Sequence, residues 1–193
     1  AFEACAAWIH KEMNPAVVFD VGGNTGKFAG LCLTEMPKLH CTIIDLPARC
    51  ELIAQNPALD AVRSRLATAS VDWLDEKAVP EVTGAPDIIW MSQFLDCFTE
   101  DQAVSILTRM KRFLPAHGRL AVLECLWDRQ PFEAAKLSLV ASSLYFTALA
   151  NGNSRFFSEA KLLKIFERAG LTVESVQGGL GVAHTLYILK VAA

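Results

Sequence analysis

The sequence predicts an α/β fold in which helices cover both faces of a doubly wound, mainly parallel β-sheet. The first observation is an apolar run at residues 16–19, which is typical of a buried strand and ends at Asp20. A turn built on Gly22, Gly23 and Gly26 follows, and the apolar residues after it recur with helical spacing. The second observation is that strand, glycine turn and helix together begin a nucleotide-binding βαβ unit. Strand and helix patterns alternate along the rest of the chain, as this fold requires.

The N-terminal half contains three strand patterns, each next to a helical pattern. Residues 2–13 are amphipathic and predict a helix that stops before Pro15, because the residue before a proline disfavours helical backbone. Pro37 ends the helix that follows the glycine turn. Pro47 begins the next helix, where its missing N–H has no cost. The predicted strands of this half are residues 16–19, residues 41–45 and a short strand that residues 63–70 lead into.

The C-terminal half contains four more strand patterns and a long apolar segment. Thr99-Glu100-Asp101-Gln102 is a capping box, which predicts a helix that starts there and ends at Pro115. Ser158 is the predicted N-cap of a later helix, which ends at Gly170. Residues 130–150 are apolar nearly all round, which predicts burial on two sides. The predicted strands of this half are residues 88–91, 119–126, 171–176 and 182–190.

Composition and charge limit the classes of function. The chain has 193 residues, of which 52% are hydrophobic and 20% charged, so we predict one globular domain over residues 1–193. The net charge of −3 and the lack of a basic run argue against nucleic acid as a partner. No apolar stretch reaches membrane-spanning length, and six scattered cysteines without a C-x-x-C motif favour a reduced, cytoplasmic protein. The four histidines are equally dispersed, which gives a metal site little support.

Three ligand classes use a glycine turn of this kind, and two of them fit poorly. A Walker phosphate loop needs four residues between its first glycine and Gly-Lys, but three separate Gly22 from Gly26. Phe28 also stands where the magnesium-binding hydroxyl of that loop would follow. The dinucleotide pattern G-x-G-x-x-G has Asn24 and Lys27 at its second and third glycine positions.

The third class, S-adenosylmethionine, has a signature that this chain matches. That signature is an acidic residue at a strand end, then glycines, then a second acidic residue that closes the next strand. Asp20, the glycines and Asp45 occur in this order. Asp45 is placed to accept hydrogen bonds from both ribose hydroxyls, and a hydrogen bond to a charged group contributes about 1.5–3 kcal/mol.

These residues carry a resemblance to a known family. The segment Asp20-Val-Gly-Gly-Asn-Thr-Gly-Lys27, followed by Ile44-Asp45-Leu46-Pro47, resembles the class I methyltransferases. It is most similar to the small-molecule O-methyltransferases of the plant caffeate and hydroxyindole type and to their bacterial relatives. The resemblance covers nearly the whole chain, although Asn24 replaces a glycine that is common in the family. It implies a Rossmann-like sheet of seven strands with an antiparallel last strand. It also implies S-adenosylmethionine as the cofactor and a homodimer formed through an N-terminal helical domain outside residues 1–193.

The resemblance further implies where donor and acceptor bind. Asp72 would bind the adenine amino group and Trp73 would cover the ring; the alternative is a turn with a core tryptophan. Segment 137–146 would line the acceptor pocket; the alternative is a core helix that only packs. For the donor, the predicted residues are Asp20, Gly22, Gly23, Asn24, Gly26, Asp45, Leu46, Asp72, Trp73 and Ser92. For the acceptor, they are Phe94, Leu95, Leu137, Val140, Ala141, Leu144, Tyr145 and Arg155.

The group that takes the acceptor's proton is a separate question. In plant-type relatives a histidine in a Leu-His-Asp-Trp motif removes it, but Leu95 holds the matching position here and Asp96 keeps the aspartate. Asp96 is therefore the candidate catalytic base if burial raises its pKa, and its alternative role is to brace the loop. His184 and Glu124 are other ionisable candidates, and a phenolate already ionised in solution needs no base.

The predicted function is methyl transfer from S-adenosylmethionine to a small, aromatic hydroxylated acceptor. Arg155 would meet an acceptor carboxylate or, alternatively, form a surface salt bridge. C-methylation of an activated phenolic ring stays open because the family histidine is missing, as does a catalytically silent S-adenosylmethionine-binding module. A dinucleotide-dependent oxidoreductase is the unrelated alternative.

Overall fold

A seven-stranded β-sheet organises the structure, a computed structural model that describes residues 1–150 and 152–192. Its strands are β1 (Val17–Val21), β2 (His40–Asp45), β3 (Leu66–Ser70), β4 (Ile88–Ser92), β5 (Arg119–Cys125), β6 (Leu171–Gly178) and β7 (His184–Val191). They lie in the order β3-β2-β1-β4-β5-β7-β6. Strand β7 pairs antiparallel with β5 and β6, whereas the other pairs are parallel. The predicted doubly wound, Rossmann-like sheet with an antiparallel last strand is confirmed.

Helices cover both faces of this sheet. They are α1 (Phe2–Glu12), α2 (Lys27–Glu35), α3 (Pro47–Ala54), α4 (Glu100–Met110), α5 (Glu133–Tyr145) and α6 (Glu159–Arg168). Successive side chains of a strand point to opposite faces, so each strand supplies two cores. On β1, Phe19 and Val21 belong to the core that α4 and α6 complete. Val18, which precedes them on the strand, belongs to the core formed with α1 and α2.

The strand order places a crevice between β1 and β4. Strand β1 leads by way of α2 to β2 on one side, while β4 lies on its other side and leads to β5. At such a switch point the connections leave in opposite directions, which opens a crevice beyond the carboxyl ends of the two strands. Asp20 near the end of β1 and Ser92 at the end of β4 border it. The fold therefore brings the predicted donor residues to one edge of the sheet.

Most predicted boundaries agree with the structure to within a few residues, and two differ in kind. The capping box forms, with Thr99 Oγ1 accepting from the Gln102 backbone N–H and the Gln102 side chain accepting from that of Thr99. Helix α4 ends at Met110 rather than near Pro115, because residues 111–113 tighten into a 3₁₀ turn. Residues 57–65 form a 3₁₀ helix that the sequence did not predict, and Asn56 caps it.

The predicted two-sided burial of segment 130–150 is wrong for the part of the chain that the structure describes. Helix α5 is preceded by a 3₁₀ turn at Trp127–Arg129 and continues into a π-helical turn at Phe146–Ala150. It contains no buried residue, and Leu137 and Leu144 are 65% and 69% exposed. The reason is that the main described neighbours of α5 are the short turns on either side of it, so no described strand or long helix covers its apolar surface. Asn151, which the sequence assigns to the polar loop after this segment, lies outside the described residues.

Candidate active site

The turn after β1 needs glycine for steric reasons. Gly22 and Gly26 have φ angles of 73° and 77°, in the left-handed region that side chains avoid. A Cβ on Gly23 would lie 2.7 Å from Ile43 Cγ2 and 2.8 Å from Asp20 Oδ2. The turn is fixed to the neighbouring strand as well, since the Gly22 N–H donates to the Ile44 carbonyl at 2.9 Å. The loop can therefore bring bare backbone close to a ligand.

Asp45, which closes β2, is tied to this turn. Its Oδ2 accepts from the Asn24 backbone N–H at 2.8 Å, and its Oδ1 accepts from that of Leu46 at 2.7 Å. A carboxylate oxygen can accept more than one hydrogen bond, so each oxygen keeps capacity for a ligand hydroxyl. The structure thus places Asp45 beside the glycine turn, as the sequence predicted.

Asp20 lies close enough to Asp45 for the charge of Asp45 to affect its pKa, and both side chains are buried. It is nearly fully buried, and its Oδ2 has no hydrogen-bond partner in the described part of the protein. Burial, with a smaller contribution from the negative charge of Asp45, raises the pKa of Asp20 to about 7. An unpartnered buried carboxyl oxygen favours a ligand that brings a donor or a positive charge.

Two cavities open at this edge of the sheet and share the predicted donor residues between them. The first, of about 270 Å³, is lined by Asp20, Gly22, Gly23, Asn24 and Ser92, together with Phe2, Thr25, Lys27, Phe28, Trp90 and Gln93. The second, of about 290 Å³, is lined by Asp45, Leu46, Asp72 and Trp73, together with Leu74, Phe94, Cys97, Phe98 and Asn153. Gly26 lines neither, because it starts α2 behind the turn, where an added Cβ would meet Leu59 at 2.7 Å.

Phe94, a predicted acceptor residue, lines the second cavity and packs against the glycine turn that lines the first. Its ring meets Trp73 edge to face at 5.6 Å and Phe98 at 5.0 Å. The same ring covers Gly22, where an added Cβ would lie 2.3 Å from Phe94 Cδ2. Leu95, the next predicted acceptor residue, is fully buried in the core, so it has no surface for a ligand.

Glu124 explains why this loop turns inward. Its Oε1 accepts from the backbone N–H groups of Phe94 and Leu95 at 3.2 and 3.0 Å. Glu124 is fully buried, and burial together with the charge of Asp96 raises its pKa well above the ordinary range. Glu124 therefore holds the loop through these two hydrogen bonds. The sequence signal was an acidic residue inside an apolar strand.

Asp96 follows in this loop. Burial raises the pKa of Asp96 to about 6, while the Cys97 thiol, 3.6 Å from its Oδ1, lowers it slightly. The Asp96 carbonyl accepts from the Arg155 N–H at 2.9 Å, which joins the loop to the segment after α5. The Arg155 guanidinium lies 3.6 Å from Glu100, so this side chain forms a salt bridge in this structure.

The remaining predicted acceptor residues line neither cavity. Leu137, Val140, Leu144 and Tyr145 are exposed on α5, as is Ala141 beside them. His184 lies elsewhere, in a third cavity of about 310 Å³ that shares Phe2, Lys27 and Gln93 with the first. Burial lowers the pKa of His184, so its ring is neutral at pH 7.

The sequence analysis did not predict six residues that line the first cavity, among them Lys27, Phe28, Trp90 and Gln93. Phe28 stacks on Trp90 at 4.4 Å, and Trp90 Nε1 has no partner within the described residues. Lys27 is the first residue of α2, directly after the glycine turn, so its place in the cavity lining could have been inferred from the sequence. Gln93 has a φ of 46°, in the left-handed region, and no sequence pattern predicted this backbone conformation.

Other site types find no support in the described part of the chain. No group of three or more metal-ligating side chains occurs there. All six cysteines are free, and four of them are buried. No helix among residues 1–150 and 152–192 is both long and apolar enough to cross a membrane.

Comparison with known proteins gives a consistent picture. The family model for the O-methyltransferase domain matches residues 10–172. Norreticuline-7-O-methyltransferase of Papaver somniferum is 28% identical over 152 residues, which are 78% of this chain and 38% of that protein. The chain thus spans less than half the length of this relative.

Solved structures show the same fold at lower identity. The mitomycin 7-O-methyltransferase superposes with a TM-score of 0.82 at 20% identity, over 99% of this chain and 53% of the other. Human N-acetylserotonin methyltransferase, solved in complex with S-adenosylmethionine, superposes with a TM-score of 0.77 at 15% identity. That superposition covers 99% of this chain and 52% of the human one.

Proposed function

Because the chain belongs to the O-methyltransferase domain family, we propose that it binds S-adenosylmethionine and methylates a hydroxyl of a small aromatic acceptor. The observation that supports this most is the pair Asp20 and Asp45 on either side of the glycine turn. Together they offer a site for a cation and a site for a ribose at one crevice.

The two cavities suit the two halves of this cofactor. Asp45 would bind the ribose hydroxyls, while Asp72 and Trp73 would hold the adenine in the second cavity. Asp20 would face the positively charged half in the first cavity, where Ser92 Oγ also lacks a partner among the described groups. When bound, S-adenosylmethionine supplies an electrophilic methyl group on a sulfonium. Asp20 and the glycine turn orient that half of the ligand, and orientation of this kind supplies about 7–11 kcal/mol of a barrier.

Asp96 is the proposed base on the acceptor side. With a pKa of about 6 it is ionised at pH 7, so its Oδ atom can take the proton of an acceptor hydroxyl. Glu124, whose Oε1 accepts from the Phe94 and Leu95 N–H groups, fixes the loop that carries Asp96. A positioned base contributes about 10²–10⁴-fold. The exposed apolar face of α5 is the proposed wall for the acceptor ring, while the homodimer and the cytoplasmic location stay predictions.

Calorimetric titration with S-adenosylhomocysteine tests the donor site. We expect Asp45→Ala to weaken binding by tenfold or more, about 1.4 kcal/mol. Asp60→Ala is the matched control, because Asp60 is an exposed aspartate on the 3₁₀ helix that pairs with Arg63. A folded wild-type protein that binds no S-adenosylhomocysteine would contradict the proposal.

The pH dependence of methyl transfer to a phenolic acceptor tests the base. The kcat/KM of the wild type should fall below about pH 6, as Asp96 becomes protonated. Asp96→Asn should lose about 10²–10⁴-fold and this acid limb with it. Asp101→Asn is the control, because Asp101 is an exposed partner of Arg168. Mass fragmentation of the product distinguishes oxygen from carbon methylation.

A further inference from the structure

Arg109 is a buried cation of α4 that lies behind the second cavity. It is 6% exposed, and it forms no ion pair with any carboxylate of the described residues. Its guanidinium donates instead to three backbone carbonyls of the segment before β4, those of Trp73 at 2.9 Å, Asp75 at 2.9 Å and Ala78 at 2.6 Å. It also donates to the Ser105 carbonyl of its own helix at 3.4 Å. The centre of the same guanidinium lies 5.6 Å from the centroid of the Trp73 ring.

These contacts concern a segment that is otherwise held by local turns, in which the Leu74 and Lys77 N–H groups donate to the side chains of Asp72 and Asp75. Residues 71–87, between β3 and β4, contain neither helix nor strand, so regular backbone pairing does not fix them. A guanidinium is a planar fork of five donors, which lets one side chain satisfy several carbonyls at once. A buried charge is costly unless it is compensated in this way. The geometry indicates that Arg109 fixes the path of the chain from Trp73 to Ala78.

The backbone path from Trp73 to Ala78 determines the orientation of the Trp73 ring. Trp73 is buried, and its side chain borders the second cavity beside Asp45 and Asp72. Phe94 meets the ring at its edge, at 5.6 Å, and Arg109 contacts it from the side of α4. A surface that binds a flat ligand by stacking loses affinity when it must first be ordered.

We propose that Arg109 is the positioning residue for the purine-binding half of the donor site, because it holds Trp73 and its segment in the orientation that receives the adenine ring. The inference rests on the proposed function, since it presupposes an adenine-containing ligand in the second cavity.

Arg65 provides a matched control. Its guanidinium also donates to three backbone carbonyls, those of Leu33 at 2.7 Å, and of Met36 and Leu39 at 3.0 Å each. These carbonyls belong to the end of α2 and the turn after it, and none of the three residues lines either cavity. Replacing Arg65 or Arg109 removes the same kind of bonds, so the two variants share a loss of stability but not an effect on Trp73.

The test compares Arg109→Met, Arg109→Lys and Arg65→Met with the wild type, using the intact protein. Calorimetry measures the affinity for adenosine, which would occupy only the purine and ribose half, and for S-adenosylhomocysteine. We expect Arg109→Met to lower the affinity for both ligands by the same factor, about tenfold. The affinities of Arg109→Lys should lie between those of the wild type and Arg109→Met, because lysine keeps the positive charge but lacks the planar set of guanidinium donors. Arg65→Met should stay within about twofold of the wild type.

Kinetics supply a second readout. In the Arg109 variants the KM for the donor should rise, while the KM for the acceptor and the kcat at saturating donor stay unchanged. Equal donor affinities in Arg109→Met and Arg65→Met would overturn the inference, and so would a loss for S-adenosylhomocysteine that adenosine does not share. If Arg109→Met does not fold, the same comparison is made with Arg109→Lys. A wild type that binds neither ligand would overturn the proposed function and this inference together, whereas the other results overturn the inference alone.

Discussion

At the scale of single residues, Asp20 carries a charge that depends on pH in the range where the protein would work. Burial of its carboxyl, with a smaller contribution from the charge of Asp45, raises its pKa to about 7. The pKa of an aspartate in an unfolded chain is about 3.9. The folded protein therefore keeps a proton on Asp20 between about pH 4 and pH 7. A cationic ligand beside Asp20 favours the ionised form, so binding and deprotonation are linked.

The first prediction concerns this linkage. The affinity for S-adenosylmethionine should rise with pH by up to about tenfold per unit below pH 7 and level off above it. At pH 6, calorimetry in buffers of different ionisation enthalpy should show that binding releases up to about one proton. Asp20→Asn should bind more weakly and release none. Release that persists in Asp20→Asn would assign the proton to another group.

The second prediction concerns the glycine turn. Gly23→Ala should lower the free energy of unfolding by about 1–3 kcal/mol, because its Cβ would collide with Ile43 and Asp20. It should also weaken S-adenosylhomocysteine binding. Gly178→Ala is the control, since an added Cβ there meets nothing within 4 Å. Urea denaturation measures the free energy of unfolding of both variants. Equal stability of Gly23→Ala and Gly178→Ala would contradict the steric account.

The positions of the two proposed donor carboxylates could be predicted from the sequence, but the path of the proposed acceptor loop could not. Asp20 and Asp45 lie at the ends of neighbouring parallel strands, and the topology brings such ends together. Leu95 and Phe94 turn inward because Glu124, about 30 residues further along, binds their N–H groups. Arg109 acts on the Trp73 segment 36 residues before it. Contacts over such distances along the chain leave no local pattern.

At the scale of elements, local signals predicted the helix starts, while burial depended on partners. The caps at Thr99 and Ser158 are formed by neighbours within three residues, and both occur as expected. Helix α5 has an apolar composition but no partner among the described elements, so composition alone gave the wrong burial. The exposed apolar face of α5 would, however, suit the proposed role of this helix as a wall of the acceptor site.

The third prediction separates these meanings of α5. Leu144→Ala should change the free energy of unfolding by less than about 0.5 kcal/mol, because the side chain is 69% exposed. Leu162→Ala in α6, where the leucine is fully buried, should cost about 2–5 kcal/mol. If α5 binds the acceptor, Leu144→Ala raises the acceptor KM, whereas Leu163→Ala at a partly exposed position of α6 does not. A stability loss near 2 kcal/mol for Leu144→Ala would mean that this face is covered in the intact protein.

At the scale of the whole molecule, the proposed donor site joins parts of the chain that lie far apart in sequence. Its proposed residues come from the ends of β1, β2 and β4 and from the segment after β3. The edge that they share exists because the sheet order reverses between β1 and β4. An unfolded chain would not hold these groups together, so a donor bound across both cavities should stabilise the fold as a unit.

The fourth prediction follows from this dependence. S-adenosylhomocysteine at 100 times its Kd should raise the free energy of unfolding by about 2.7 kcal/mol. For a domain of this size that corresponds to an increase in Tm of about 5–11 °C. Asp45→Ala at the same ligand concentration should show a smaller increase, because its Kd is higher. Both shifts are measured by thermal unfolding, with saturation checked by calorimetry. A shift far below 2.7 kcal/mol at proven saturation would mean that the transition observed is a local opening that leaves the site intact, because only a state without the site loses the whole binding energy.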